Sequence, residues 1–132
     1  MKIKITCKRV LGVMVGILPF VVVFCRFLGW GLMGGKAAVL GFVLFGVGGV
    51  ISIVNFYLSF LRYWVHVLLR GKDVEYRWVS GIPLFGFLTV VGVLLIPQSL
   101  WVGLLALLFL VIDTGGIQWF VLSTWKDDSF WG

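Results

Sequence analysis

Residues 100–125 read LWVGLLALLFLVIDTGGIQWFVLSTW. A bilayer core of ~30 Å needs about 20 consecutive apolar residues at helical rise, and this run exceeds that length with a single charge, Asp113. Immediately before it, Pro97-Gln98-Ser99 forms an uncharged tight connection. A further apolar run ends there, predicted as a helix over 80–96 with Ser80 as its cap and Pro83 in the first turn, where proline is tolerated.

Two more apolar runs lie upstream. The first is predicted helical over 10–28, following a basic N-terminus that holds Lys2, Lys4, Lys8 and Arg9. Such a start resembles a secretory signal, but no small-x-small cleavage site follows in Phe24-Cys25-Arg26-Phe27-Leu28, so an uncleaved helix is the expectation. Pro19 is expected to kink it, because proline removes a donor and crowds the preceding turn. Arg26 to Lys36 is a short glycine-rich connection in which Trp30 suits headgroup level. The second run is predicted over 37–69, long enough to project beyond the membrane. The resulting fold class is an all-α integral membrane protein, a single domain over 1–132 built as a four-transmembrane-helix antiparallel bundle.

Composition agrees. The chain has 132 residues, 61% hydrophobic and 12% charged, with a mean hydropathy of +1.15. Soluble domains carry about 25% charge, so part of this surface must meet lipid. The loops left over are too short for a soluble catalytic or nucleic-acid-binding unit. The net charge of +6 is not patterned for nucleic acid either, since the bases sit in clusters beside the apolar runs. Lys2, Lys4, Lys8, Arg9, Arg62, Arg70, Lys72, Arg77 and Lys126 fall on one face, against Arg26 and Lys36 on the other. By the positive-inside rule this predicts both termini in the cytoplasm. Cys7 and Cys25 stand ~27 Å apart at helical rise, too far for a disulfide, and are read as two free thiols.

Asp113 is the most unusual residue. It lies ~20 Å from the outer end of its run at helical rise, where a carboxylate is costly and is expected to face protein or water with a partner. Three readings stay open for it: a proton or cation site, an anchor for a partner's basic residue, or a structural hydrogen bond between helices. Gly48, Ser52, Asn55, Ser59, Arg62 and His66 alternate by four and three, which keeps them on one helix face. Small and hydroxyl residues on such a face permit close helix approach. The fourth run has a corresponding face in Gly103, Ala106, Asp113, Gly116 and Ser123. Packing the two together places Asp113 near Asn55, Ser59 or Arg62, with an Asp113–Arg62 ion pair as one outcome. The stripe is read either as plain helix packing or as a polar groove to which Thr89, Thr114 and Gln118 contribute. His66 has no Cys or His at ligand spacing and is read as interfacial, so no metal or cofactor is expected. Gly12-x-x-x-Gly16 is a helix-contact signal, for self-association or for docking another helix. Asp113-Thr114-Gly115 shares its order with the aspartic-protease signature, but that chemistry needs two carboxylates in one site and the spans hold no second acid.

The central loop, RGKDVEYRW over 70–78, joins acids, bases and aromatics. It reads either as a solvated, headgroup-binding loop or as a recognition surface for a protein partner through Tyr76, Arg77 and Trp78.

The stretch Glu75-Tyr76-Arg77-Trp78-Val79-Ser80-Gly81-Ile82-Pro83, with Asp113-Thr114-Gly115-Gly116 further on, resembles small bacterial inner-membrane proteins of the toxin-immunity type. The resemblance covers residues 62–125. It implies a non-enzymatic protein that protects its own cell by binding a membrane-acting or periplasm-entering antibacterial toxin. No family residues are carried over. The alternative expectation is a small homo-oligomeric transporter or channel that uses Asp113 as its proton or cation site.

Overall fold

The computed structural model describes residues 6–29, 35–71, 81–83 and 85–131, and among these it is helical with no strand. The elements are α1 (Cys7–Phe27), α2 (Lys36–Phe56), a π turn (Tyr57–Leu61), α3 (Arg62–Arg70), α4 (Phe87–Leu95), α5 (Leu100–Ile112), α6 (Ile117–Thr124) and a last turn α7 (Asp128–Trp131). Among the described residues three stretches are long and apolar enough to cross a membrane: Cys7–Phe27, Lys36–Arg70 and Leu100–Thr124. Their outward faces carry large apolar side chains, among them Leu18, Val39, Val50, Trp101 and Leu122, as a surface bathed in lipid requires.

Two elements differ from expectation. The helix expected over 80–96 is the nine-residue α4, Phe87–Leu95, which rises only ~13 Å. The helix expected over 100–125 is divided at Asp113–Gly116 into α5 and α6. The first difference has a tertiary cause. Ile82 N–H donates to Asn55 Oδ1 at 2.6 Å and Ile82 O accepts from Asn55 Nδ2 at 2.9 Å. Both backbone groups of Ile82 are thus committed to α2, where a helix would need them for its own ladder. Pro83, which was expected in the first helical turn, precedes the helix.

Glycine permits the tightest packing. A side-chain carbon at Gly92 of α4 would lie 2.8 Å from Gly41 O and 2.9 Å from Phe45 Cα, so α2 and α4 touch backbone to backbone. Gly48 faces Thr89 in the same way. Gly48 of the α2 stripe therefore meets α4, while the adjacent Gly49 lies against the Phe109 ring of α5. Small residues take this role because lipid supplies no hydrophobic drive between helices. Gly92→Leu is expected to undock α4 and cost about 1–3 kcal/mol or more. Gly46, with nothing within 4 Å of an added carbon, is the control: Gly46→Leu should leave the melting temperature in detergent nearly unchanged.

A small core of Val23, Val93, Ala106 and Leu110 joins α1, α4 and α5. Gly103 and Ala106, expected to face α2, instead serve α1: Gly103 receives the ring of Phe27, and Ala106 packs in the core with Val23. The Gly12-x-x-x-Gly16 face is also used within the chain. Gly12 lies under the Trp131 indole and Gly16 against Val121 and the Gln118 backbone. Thr6 caps α1 by accepting from Arg9 N and donates to Trp131 O at 2.7 Å, while the Trp131 indole donates to Thr124 O at 2.8 Å. Residues 6 and 131 thereby meet at one end of the molecule. Just before α7, Asp127 Oδ1 accepts from Ser129 N and Oγ, which holds its carboxyl below the usual carboxylate range. Both cysteines are free.

At the opposite end Arg26 stabilises the short helix. Its guanidinium donates to Ile96 O at 2.7 Å and Val93 O at 3.4 Å, carbonyls that the end of α4 leaves without ladder partners. A cation here also suits the negative end of the helix dipole.

Candidate functional site

The break between α5 and α6 lies against the middle of α1, since Asp113, Gly116 and Gln118 share a hollow with Val15, Leu18, Pro19 and Val22. Non-helical backbone at such depth is tolerated only where its polar groups are satisfied inside the protein. The last four carbonyls of α5 all find donors. Phe109 O takes the Asp113 amide at 2.9 Å and Ile112 O the Thr114 amide at 2.9 Å. Val111 O takes the Trp119 indole at 2.8 Å, and Leu110 O takes the Gln118 side-chain amide. Asp113 O accepts from Gly116 N at 2.9 Å and from Gln118 Nε2 at 3.3 Å. Gln118 and Trp119 lie on the first turn of α6, so the second half-helix closes the end of the first.

Asp113 is fully buried. Its Oδ1 accepts from Asn55 Nδ2 at 2.6 Å, and among the described residues its Oδ2 has no hydrogen-bond partner. Oδ2 lies against Gly86, at the start of α4, where a side-chain carbon would collide with it. Three helix ends thus converge on the carboxylate: the end of α5, the start of α6 and the start of α4. The positive end of the α4 dipole is the one presented.

Asn55 organises the surroundings. Its amide group serves Ile82 O, Asp113 Oδ1 and Ile82 N, as described, and its own carbonyl accepts from Thr114 Oγ1 at 2.9 Å. The Thr114 hydroxyl also meets Ser59 Oγ at 2.6 Å. Since Thr114 has spent its only proton on Asn55, Ser59 is the donor in that pair. This knot lies where α2 widens into the π turn, a feature that recurs at functional positions.

Of the partners expected for Asp113, Asn55 meets it and Ser59 meets the next residue. The carboxylate takes the Asn55 amide. Arg62 and His66 instead line a separate hollow of about 230 Å³ with Tyr57 and Arg70. Ser52 turns its hydroxyl back to Gly48 O at 2.9 Å on its own helix. Tyr76, Arg77 and Trp78 lie outside the described residues. Gly86 and Ile82 escaped sequence reasoning, as nothing in their local pattern places them beside Asp113.

The hollow beside the break measures about 450 Å³. Apart from Asp113, Gly116 and Gln118 its lining is apolar, from α1, α4, α5 and α6. Leu18 and Phe87 are exposed, so it opens on the flank of the molecule. Compared with protein-family models, curated proteins and solved structures, the chain matches none of them. Any assignment of function must therefore come from this geometry.

Proposed function

We propose that the chain is a small homo-oligomeric transporter or channel of the bacterial inner membrane, with Asp113 as its proton or cation site. One observation carries this reading: a buried carboxylate oxygen without a hydrogen bond among the described residues, placed where three helix ends meet. Interrupted membrane helices put charged groups and half-helix dipoles at the level where ions and substrates bind, and intramembrane acids mark proton and ion pathways. Four apolar segments seldom enclose a path alone, so the working unit is an oligomer.

The proposed topology is four crossings with both termini cytoplasmic. The asymmetry of Lys and Arg supports the orientation, and the Thr6–Trp131 contact supports an even number of crossings. Exposed Cys7 reports the orientation. In intact spheroplasts carrying the Cys25→Ser variant, a membrane-impermeant maleimide is expected to label Cys7 only after the membrane is opened. Labelling from outside would reverse the assignment.

Purified protein in liposomes is expected to conduct protons or a monovalent cation above the protein-free background, and to migrate as a defined homo-oligomer in mild detergent. Flux at background level under both proton and cation gradients would overturn the reading.

A second reading, a non-enzymatic binding protein of the toxin-immunity type, is favoured by the flank opening of the hollow, where a membrane-inserted partner would lie. Purification from native cells separates the two, because a second polypeptide in fixed stoichiometry belongs only to this one.

A further inference from the structure

The hollow between α1, α4 and the α5/α6 break combines a large apolar wall with one unsatisfied acceptor. Its volume of about 450 Å³ lies in the range of small-molecule sites, roughly 300–1,000 Å³. Leu18, Val22, Phe87, Val90 and Ile117 form the wall. Of the polar lining, Gln118 Nε2 is spent on Leu110 O and Asp113 O. Asp113 Oδ1 is held by Asn55. Among the described residues the buried polar atom of this lining without a hydrogen bond is Oδ2, at the wall that Asp113 shares with Gly86.

We propose that this hollow binds a lipophilic amine, its ammonium donating to Asp113 Oδ2 and its apolar body lying along α1 and α4. A neutral lipid chain would fill the volume but bring no donor. An anion would meet the carboxylate with like charge, and a bare metal ion would find too few oxygen ligands. A cation carrying N–H donors and an apolar body answers each feature of the lining, and a charge-assisted hydrogen bond in a water-poor site is the strong kind. Access to Oδ2 is governed by Gly86. This residue begins α4 without a side-chain cap, so the start of α4 is the part that yields as the ammonium enters. The proposal rests on Asp113 being the working group, as above.

The probe is a fluorescent long-chain primary amine, with its N-acetylated form as the neutral control, titrated into the full chain in lipid nanodiscs and into empty nanodiscs. Saturable binding above the empty discs is expected. It should weaken at least about tenfold on acetylation and on Asp113→Asn, and at least about tenfold in Leu18→Trp, which fills the hollow. Equal binding of the acetylated form, or no change in Asp113→Asn, would overturn the proposal and leave a groove for lipid chains. Absence of saturable binding alongside Asp113-dependent ion flux would reject the ligand class while the proposed function stands. Absence of both would reject the two together.

Discussion

Asp113→Asn is expected to bring flux in liposomes down to the protein-free background while the protein remains folded. The substitution keeps an acceptor at the Oδ1 position, so the 2.6 Å bond from Asn55 survives, and the shape of the side chain is unchanged. What it removes is the ability to carry charge or exchange a proton at the Oδ2 position, the only property that the proposed role requires. Elution volume and melting temperature in detergent close to those of the parent protein would show that the helix break persists. Unchanged flux in such a folded variant would rule out Asp113 as the proton or cation site and reduce the residue to a link between α2 and the α5/α6 break.

Asn55→Leu is expected to have the largest effect on stability. The replacement is close in size and apolar, but it strands three buried or partly buried groups: Ile82 N, Ile82 O and Asp113 Oδ1. A buried polar group left without a partner costs about 1–3 kcal/mol, and side-chain hydrogen bonds measured within membrane proteins average ~0.6 and reach ~1.7 kcal/mol. Together these place the expected loss at about 2–4 kcal/mol, read by denaturant unfolding in mixed micelles. The stranded carboxylate also loses its positioning, so flux should fall in the protein that remains folded. A loss below about 0.5 kcal/mol, in the range of an ordinary surface substitution, would mean that α4 is held by its glycine contacts alone.

The two substitutions test different halves of one arrangement. Asn55→Leu removes the frame that sets the carboxylate at the meeting of the helix ends, and Asp113→Asn removes the charge while leaving the frame. Gly92→Leu addresses a third element, the close approach that seats α4 beside both.

Much of this protein is legible in its sequence because apolar runs longer than a bilayer core leave few alternatives. The helices Cys7–Phe27 and Lys36–Arg70 begin and end within a few residues of the limits read from hydropathy and charge. The exceptional character of Asp113, and its proximity to Asn55, follow from the cost of a buried carboxylate and from helix phase. Tertiary structure decided the rest. An apolar run has the same composition whether it is helical throughout or only in part, and averaging over a window conceals a break of four residues. Only the pairing of Ile82 with Asn55, far apart in the chain, takes residues 81–83 out of the helix. Gln118 and Trp119 allow α5 to stop at Ile112, because they supply donors that lipid cannot. The amide contact of Asp113 was decided in the same way: Asn55 bridges α2, Ile82 and the α5/α6 break, and that meeting of distant segments sets an amide against the carboxylate.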